Sequence, residues 1–296
     1  MHKYKYYLKR LIIIAICVLF IGCTSFNTNK FILSKEGYIS VHYIDVGQGD
    51  SILINVNNKN LLIDSGPTDS ESDLLSYLDS LKIHNLDYVI ATHPHEDHIG
   101  NMSKIIDKYN VISFYSPKVS YTSKCFEDMI TSLKNKNLKI HVIKEGTHSI
   151  NLGTNTLVTV YSPINNTYDD NYNNYSPIIK IQFGKISFMF TGDAEELVEK
   201  QVLNSSKNLK SNVLKVGHHG SSSSSCKEFI NAVDPSIFVI SVGRFNDYNH
   251  PSKTTLDLLN FYDNKKIFRT DLNGTIIIRS DGLKLFGQYK KIDYCP

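Results

Sequence analysis

The run from His93 to His98 (HPHEDH) places four metal-binding side chains in one short loop. The loop follows the apolar segment Leu86–Ala91, which the pattern predicts to be a buried strand. Imidazole nitrogens and carboxylate oxygens are ligands that Zn²⁺ accepts. If His93 and His95 point one way in a tight turn, Asp97 and His98 can face a second ion. The sequence therefore predicts a metal site at the end of this strand.

Several further motifs resemble those of one hydrolase family. The pattern His-x-His-x-Asp-His after a buried strand resembles the metallo-β-lactamase superfamily. Five other segments resemble the hydrolase domain of ComEC-type DNA-uptake proteins and its free-standing exported relatives: Asp45–Ser51, Leu62–Gly66, Thr191–Asp193, Lys215–Ser221 and Asn249–Pro251. The resemblance spans roughly residues 38–282. It implies an α/β fold, a four-layer αβ/βα sandwich with a dinuclear metal site between its halves.

The resemblance also implies which residues bind the two ions. His93 and His95 would bind the first metal, and Asp97 and His98 would bind the second. Asp193, just after a predicted strand, would bridge the ions, because its two carboxylate oxygens can each face one cation. Its alternative role is to cap the helix that follows. The ions would be zinc, with manganese as the alternative.

The remaining ligands come from later histidines. The family's usual His between the first loop and the bridging Asp has no clear counterpart, since His141 and His148 lack the expected context. ComEC-like members carry a paired His instead, so we expect His219 to complete the first metal's shell and His218 to face substrate. The reverse order stays open. Adjacent side chains at a strand end point to opposite sides, so we do not expect both histidines to bind one ion. His250 would be the last ligand of the second metal, or else an ordinary loop residue.

Supporting roles are expected for several polar residues. Asp97 and His218 would steer substrate or protons during catalysis. The serines of Ser221–Ser225 are expected to cap the next helix, or else to contact a phosphate group. Three early acids are expected to be architectural or to orient the ligand rings: Asp45, Asp50 and Asp64.

The elements that position these residues follow a regular pattern. Short β-branched-rich runs from Tyr38 to Ile63 predict a strand meander. Strands and helices then alternate from Leu74 to a closing strand at Thr275–Arg279, interrupted by the loop Asn165–Tyr175. No Pro-rich linker divides this region, so we predict one hydrolase domain over 37–296, built from two similar halves with helices covering each sheet.

The N-terminal segment has the pattern of an export signal. A basic start is followed by eleven apolar residues, Leu11–Ile21, which are too few for a bilayer span but typical of a signal-peptide core. Phe20–Cys23 then resembles the lipobox of bacterial lipoproteins. We expect residues 1–22 to be a lipoprotein signal peptide, Cys23 to be lipidated and residues 23–36 to be a polar tether. This places the domain on the extracellular face of the membrane; a secreted form or an uncleaved N-terminal anchor is the alternative.

Composition narrows the function classes. The formal net charge is +3, but four of the basic residues precede Cys23, and without them 28 basic residues face 29 acidic ones. This charge balance argues against a dedicated DNA-binding protein. The five cysteines have no paired spacing, so neither a disulfide framework nor a cysteine-type zinc site is predicted.

The favoured hypothesis is a dinuclear hydrolase. Two cations lower the pKa of a water that they share, so that hydroxide can attack a phosphorus or carbonyl centre. The ComEC-like motifs favour a phosphodiester substrate, such as DNA or a phosphorylated envelope polymer. The alternatives are an exported β-lactamase or other carboxylic or thioester hydrolase, and a non-catalytic metal-binding envelope lipoprotein. The sequence favours no particular oligomeric state.

Overall fold

Two β-sheets lie face to face in the part of the chain that the structure describes. This structure is a computed structural model, and it describes residues 37–205 and 208–289, all of which lie in one compact unit. The predicted signal peptide, the lipid site at Cys23 and the predicted tether lie outside these residues. Within the described ranges, every helix is too short or too polar to cross a bilayer.

The first sheet has eight strands in the order β14-β13-β1-β2-β3-β4-β5-β6. Its strands are β1 (Ile39–Tyr43), β2 (Ile52–Val56), β3 (Lys59–Ile63), β4 (Asn85–Ile90), β5 (Asn110–Ser116), β6 (Ile140–Val142), β13 (Ile276–Ser280) and β14 (Leu285–Tyr289). Strands β3 to β6 pair in parallel, whereas β14, β13, β1, β2 and β3 pair antiparallel. The helices that follow its strands are α1 (Glu71–Ser80), α2 (Glu96–Ile99), α3 (Met102–Lys108) and α4 (Lys124–Asn135).

The second sheet has six strands in the order β12-β11-β10-β9-β8-β7. Its strands are β7 (Thr156–Val160), β8 (Ile179–Phe183), β9 (Ile186–Phe190), β10 (Val213–Lys215), β11 (Ile237–Ile240) and β12 (Lys266–Arg269). Strands β9 to β12 run parallel to one another. The accompanying helices are α5 (Glu196–Ser205), α6 (Lys227–Val233), α7 (Lys253–Asn260) and α8 (Thr270–Asn273).

Burial on both faces explains why the strands are almost continuously apolar. On β2, Ile52 and Ile54 belong to the core between the sheets, whereas Leu53 packs with the helices on the outer face. Side chains alternate in direction along a strand, so a strand covered on both sides needs apolar residues at nearly every position. A third apolar cluster joins the second sheet to its helices, for example through Val198 and Phe229. The result is four layers, helix–sheet–sheet–helix, which confirms the predicted sandwich.

Three strands at or near the sheet edges were not predicted. β7 and β12 extend the second sheet to its two edges, and β14 pairs with β13. The strand predicted over Thr275–Arg279 is β13, so it is not the last strand of the first sheet. The predicted loop Asn165–Tyr175 contains a short 3-10 helix at Tyr172–Tyr175.

Parallel strands bring the predicted site residues to one region. The chain leaves β3 at Asp64, β4 just before His93 and β9 just before Asp193. Strand β10 ends at Lys215, three residues before His218. Because the carboxyl ends of parallel strands lie at the same edge of a sheet, two sheets packed together can present one combined set of loops.

Candidate metal centre

Four ligand groups from both halves of the fold converge. One ligand atom from each of Asp97, His98, Asp193 and His219 lies within 4.8 Å of the others. His98 Nε2 is 3.2 Å from Asp193 Oδ2 and 3.3 Å from His219 Nε2. His219 Nε2 is 3.2 Å from Asp97 Oδ2. The structure thus brings together two residues of the first loop and two that follow strands of the second sheet.

Hydrogen bonds on the far side of two rings leave the inner nitrogens free to bind a cation. His219 Nδ1 lies 2.9 Å from the carbonyl oxygen of Ser241, which only accepts, so Nδ1 carries the proton. His98 Nδ1 lies 2.8 Å from Asp64 Oδ2 and donates to that carboxylate. A metal-binding ring normally has such a partner on its other nitrogen, because the partner fixes the tautomer and the ring's orientation. Asp64 is therefore placed to orient the His98 ring.

His93 is oriented in the same way. Thr92 Oγ1 donates to Asp64 Oδ2 at 2.7 Å, so its oxygen is left to accept from His93 Nδ1 at 3.1 Å. His93 Nε2 then lies 3.8 Å from Asp193 Oδ2. It also lies 3.1 Å from Nδ1 of the half-buried His95. Both of the first metal's predicted ligands therefore border the four-residue cluster.

Charge coupling controls protonation in this cluster. Burial alone would lower the pKa of His98, but the charges of Asp193, Asp97 and Asp64 outweigh burial and hold the pKa well above its normal value. Burial also opposes a proton on His219, yet Asp193 and Asp97 raise the pKa of that ring to about 10. In return, His98 and His219 hold the pKa of Asp193 well below its normal value, although burial acts in the opposite direction. Without a cation, protons on the two rings balance the buried carboxylates.

His218 and His219 face the same carboxylate. Their Nε2 atoms lie 3.7 and 3.5 Å from Asp193 Oδ2. The expectation that they point to opposite sides is wrong, because β10 has already ended and both residues adopt left-handed backbone angles, with φ of 47° and 51°. His218 is also the more exposed ring, and its Nδ1 lies 3.2 Å from Ser223 Oγ and 3.6 Å from Glu195 Oε1.

His250 lies at the edge of the same site. Its ring centroid is 5.6 Å from that of His218, and its Nδ1 is buried without a hydrogen-bond partner among the described residues. Burial and the neighbouring rings of His218 and His219 lower its pKa. The ring is therefore neutral at neutral pH, the form in which imidazole binds metal.

The residues fit a pair of divalent cations. Asp193 Oδ1 is buried and lacks a hydrogen-bond partner among the described residues, a state that costs about 1–3 kcal/mol unless another group satisfies the oxygen. A cation would satisfy it. Neutral imidazoles and carboxylates are the ligand set of zinc and related metals. The residues that would hold the ions are His93, His95, Asp97, His98, Asp193, His219 and His250.

Comparison with known proteins agrees with this geometry. Residues 44–162 match the family model of the metallo-beta-lactamase superfamily. The chain carries a metallo-beta-lactamase domain. It is 32% identical over 265 residues to ComE operon protein 3 of Bacillus subtilis, an alignment that covers 83% of this chain and 33% of the relative. It is 30% identical over 235 residues to Recombination protein 2 of Haemophilus influenzae, covering 78% of this chain and 27% of the relative.

These relatives are ComEC-like competence proteins, and the chain spans about a third of their length. A solved structure titled Igni18, a novel metallo hydrolase from Ignicoccus hospitalis, superposes with a TM-score of 0.53 at 16% identity, covering 80% of this chain and 98% of that one. At that identity the likeness shows the metallo-beta-lactamase fold alone. The chain is thus a member of a metal-dependent hydrolase superfamily with candidate metal-binding residues.

A buried ion pair lies beneath the metallo-beta-lactamase site. Lys215 Nζ donates to Asp50 Oδ2 at 2.5 Å and to the Gly192 carbonyl at 3.4 Å, and both charged side chains are at most 1% exposed. Asp50 also lies near Asp64 and His98, and these three could in principle hold a cation. The Lys215 ammonium disfavours a cation there, because it would be repelled at close range. No chemical role for Lys215 was predicted from the sequence.

The serine run supports the paired histidines and does not cap α6. The N-cap of α6 is Cys226, and its side chain accepts no capping hydrogen bond. Glu199, which the sequence did not single out, accepts from the backbone N–H groups of Ser225 and Cys226 at 2.7 and 2.8 Å. Ser225 Oγ in turn accepts from Gly217 N, next to the histidine pair. Burial raises the pKa of Glu199 to about 7, although these N–H groups oppose the shift.

The loop between β1 and β2 approaches the site very closely. A Cβ at Gly49 would lie 2.3 Å from the Asp97 carbonyl oxygen and 2.8 Å from Pro67 Cδ, so a side chain cannot fit there. The neighbouring Gln48 accepts from Gly243 N through Oε1 at 3.1 Å. The loop around Gly49 thus packs against the metal-binding segment His93–His98 on one side and contacts the second half of the domain through Gln48 on the other.

Three residues considered in the sequence lie away from the cluster. The carboxylate of Asp45 accepts from Gly47 N at 3.3 Å and has no described contact with a histidine ring. His141 is exposed on the edge strand β6, and His148 is exposed in a turn. Asp45 therefore does not orient a described ligand ring, and neither His141 nor His148 is a ligand from the middle of the chain.

The donor atoms open into a cavity of about 350 Å³. Its lining is almost entirely polar and carries no Lys or Arg among the described residues. The lining residues are Gln48, His95, Glu96, Asp97, Asn173, Asp193, His218, His219, Tyr248 and His250.

Proposed function

We propose that this metallo-beta-lactamase domain hydrolyses phosphodiesters with two bound divalent cations, zinc or manganese. The observation that carries the proposal is the convergence of Asp97, His98, Asp193 and His219 beside a polar cavity. Such a cavity suits a charged ester better than the apolar chain of a thioester. The likeness to ComEC-like proteins supports the same substrate class, with DNA or a phosphorylated envelope polymer as the source.

When bound, two cations would supply a nucleophilic water at neutral pH and would stabilise negative charge that develops on the reacting centre. The chain's own residues orient the site and move protons. His218 is the partly exposed histidine, and its Nδ1 lies within reach of Glu195. A hydrogen bond from His218 lowers the pKa of Glu195 to about 2, so this carboxylate stays ionised. His218 Nε2 lies 3.7 Å from Asp193 Oδ2, so His218 is placed to pass a proton to the leaving oxygen at Nε2.

Alanine substitution at two site residues tests this proposal. Asp193→Ala and His98→Ala should each lower kcat/KM for bis-p-nitrophenyl phosphate by about a hundredfold or more, because each removes a ligand. Metal content, measured by mass spectrometry of the purified chain, should fall in both variants. His148→Ala is the matched control, since its ring is exposed and its Nδ1 contacts the carbonyl oxygen of Gly146 and no residue of the cluster. Undiminished hydrolysis together with unchanged metal content in the first two variants would overturn the proposal.

Assays of the wild-type chain with other substrates test two other classes of function. Turnover of nitrocefin, or of an acyl thioester, at rates above those for phosphodiesters would favour a β-lactamase or thioesterase. Tight metal binding without turnover of any ester would favour a non-catalytic lipoprotein.

We further propose that Cys23 is lipidated and holds the domain on the extracellular face of the membrane. The motif Phe20–Cys23 after an apolar core supports this. Cells grown with an alkyne-tagged fatty acid should label the wild-type chain but not Cys23→Ala, and the variant should leave the membrane fraction. Equal labelling of both chains, or no labelling of either, would contradict lipidation at this residue.

A further inference from the structure

A pinned loop carries one aromatic ring to the mouth of the metal site. The loop runs from Gly243 to His250. The Asn246 amide donates to the carbonyls of Gly243 and His250 at 2.9 and 2.7 Å, and its Oδ1 accepts from His250 N at 3.0 Å. These bonds close the loop on itself, so the position of Tyr248 within it is fixed by the backbone.

The ring of Tyr248 is stacked on a site histidine and leaves its other side in solvent. Its centroid lies 5.8 Å from that of His250, with only 24° between the planes. Tyr248 lines the cavity and is nevertheless 67% exposed. Among the described residues of that lining it is the one large aromatic side chain, so it offers the one broad planar face there. By contrast, Tyr121 and Tyr172 pack edge-on against His95 without lining the cavity.

The cavity offers little else to hold a polymer. Its described lining contains no ammonium or guanidinium group that could bind the phosphates on either side of a scissile bond. A polymer substrate must then be held by contacts with the groups between its phosphates. Nucleic acids carry planar bases at those positions, whereas polymers of glycerol phosphate or ribitol phosphate carry none. Base stacking on an aromatic side chain is strong and tolerates any sequence.

We infer that Tyr248 determines the specificity of the proposed site by stacking on a nucleobase next to the scissile phosphodiester. This inference rests on the proposed phosphodiesterase activity. A single strand is required because the bases of a duplex are already stacked on their neighbours and cannot offer a free face. Tyr248 would thus determine specificity, and it takes no part in the chemical step.

Two substrates with the same leaving group test this inference in the metal-loaded full chain. Thymidine 5′-(p-nitrophenyl phosphate) carries a base, and methyl p-nitrophenyl phosphate does not. Tyr248→Leu keeps bulk against His250 but removes the planar ring. The ratio of kcat/KM for the first substrate to that for the second should fall about 5- to 150-fold in this variant, the range that one lost stacking contact implies. Any displacement of His250 lowers both rates and leaves the ratio unchanged.

Two controls isolate the ring. Tyr248→Phe keeps the planar face and should keep the wild-type ratio. Phe245→Leu changes an aromatic residue of the same loop that is 92% exposed but does not line the cavity, and it should also keep the ratio. As a readout without turnover, the chain in EDTA should quench a 2-aminopurine dinucleotide through stacking, and Tyr248→Leu should quench it less.

The possible results distinguish the role of Tyr248 from the proposed phosphodiesterase activity on which it rests. If the wild-type chain hydrolyses neither substrate, the proposed phosphodiesterase activity fails. If it hydrolyses both but Tyr248→Leu leaves the ratio and the quenching unchanged, only the role of Tyr248 is overturned. Preference of the wild-type chain for a glycerol phosphate polymer over single-stranded DNA would also overturn a specificity set by base stacking.

Discussion

Lys215→Met tests how strongly the ion pair beneath the site stabilises the fold. Both Lys215 and Asp50 are at most 1% exposed, and their charged atoms lie 2.5 Å apart. Removal of the ammonium leaves the Asp50 carboxylate buried without its cation, and Asp50 Oδ1 already lacks a hydrogen-bond partner among the described residues. Breaking a buried pair in this way costs about 3–5 kcal/mol. We expect the free energy of unfolding of the metal-free chain to fall by about that amount.

Urea titration followed by circular dichroism, with a chelator present, measures this loss. The double variant Asp50→Asn/Lys215→Met removes the stranded charge, so it should be more stable than the sum of the single losses predicts. A coupling free energy of about 1–3 kcal/mol is expected for groups in direct contact.

An exposed pair serves as the matched control. Lys265 Nζ lies 2.8 Å from Asp234 Oδ1, but these side chains are 24% and 53% exposed. Lys265→Met should therefore cost at most about 1 kcal/mol, since water replaces the lost partner. If Lys215→Met costs no more than Lys265→Met, or if the two single losses at Asp50 and Lys215 simply add, the reasoning is refuted.

Two further predictions concern the metal. Zinc affinity should rise with pH, because the pKa of His98 is held well above normal and that of His219 at about 10, so below these values a cation must displace a proton from each ring. Competition with a coloured chelator from about pH 6 to about pH 9 should show up to about a tenfold change per pH unit for each displaced proton, and a flat profile would contradict this. Gly49→Ala should lower metal content, because the added Cβ would push the backbone at Asp97 away. Gly287→Ala in β14 is the control and should keep the metal content, since a Cβ there meets nothing within 4 Å. Equal metal content in these two alanine variants would show that the close approach does not hold the loop.

The metal-binding segment His93–His98 could be predicted because its ligands are neighbours in the chain. His93 and His95 lie between β4 and α2, and Asp97 and His98 lie in α2 itself, so six consecutive residues hold the four side chains close together whatever the rest of the fold does. The alternation of strands and helices likewise predicted the two covered sheets. Short edge strands were missed, since a strand such as Lys266–Arg269 is only partly buried and lacks the apolar run of a central strand.

The orientation of the paired histidines could not be predicted from strand geometry. If β10 extended to His218, the side chains of His218 and His219 would point apart. The left-handed angles of both residues occur in a turn, and Ser225 Oγ accepts a hydrogen bond from Gly217 N at the start of that turn. A backbone of this kind depends on tertiary contacts that no local pattern contains.

Lys215 and Glu199 were missed for a related reason. Each is a charged residue in an otherwise buried element, and its partner lies far away in the chain: Asp50 for Lys215, and the backbone before α6 for Glu199. The sequence shows only that a charge interrupts an apolar pattern. It does not show which distant group satisfies that charge once the elements have packed.

The position of Asp193 between the two halves also gives a bound cation a mechanical role. Asp97 and His98 belong to one half of the sandwich and Asp193 and His219 to the other, so cations held by these residues would link the two halves without a covalent bond. A ligand that binds only the assembled arrangement adds about 2.7 kcal/mol of stability at a hundred times its Kd. Loss of the metal would then weaken the contact between the halves before either half unfolded. Faster amide hydrogen exchange in β9 and β10 would show this change.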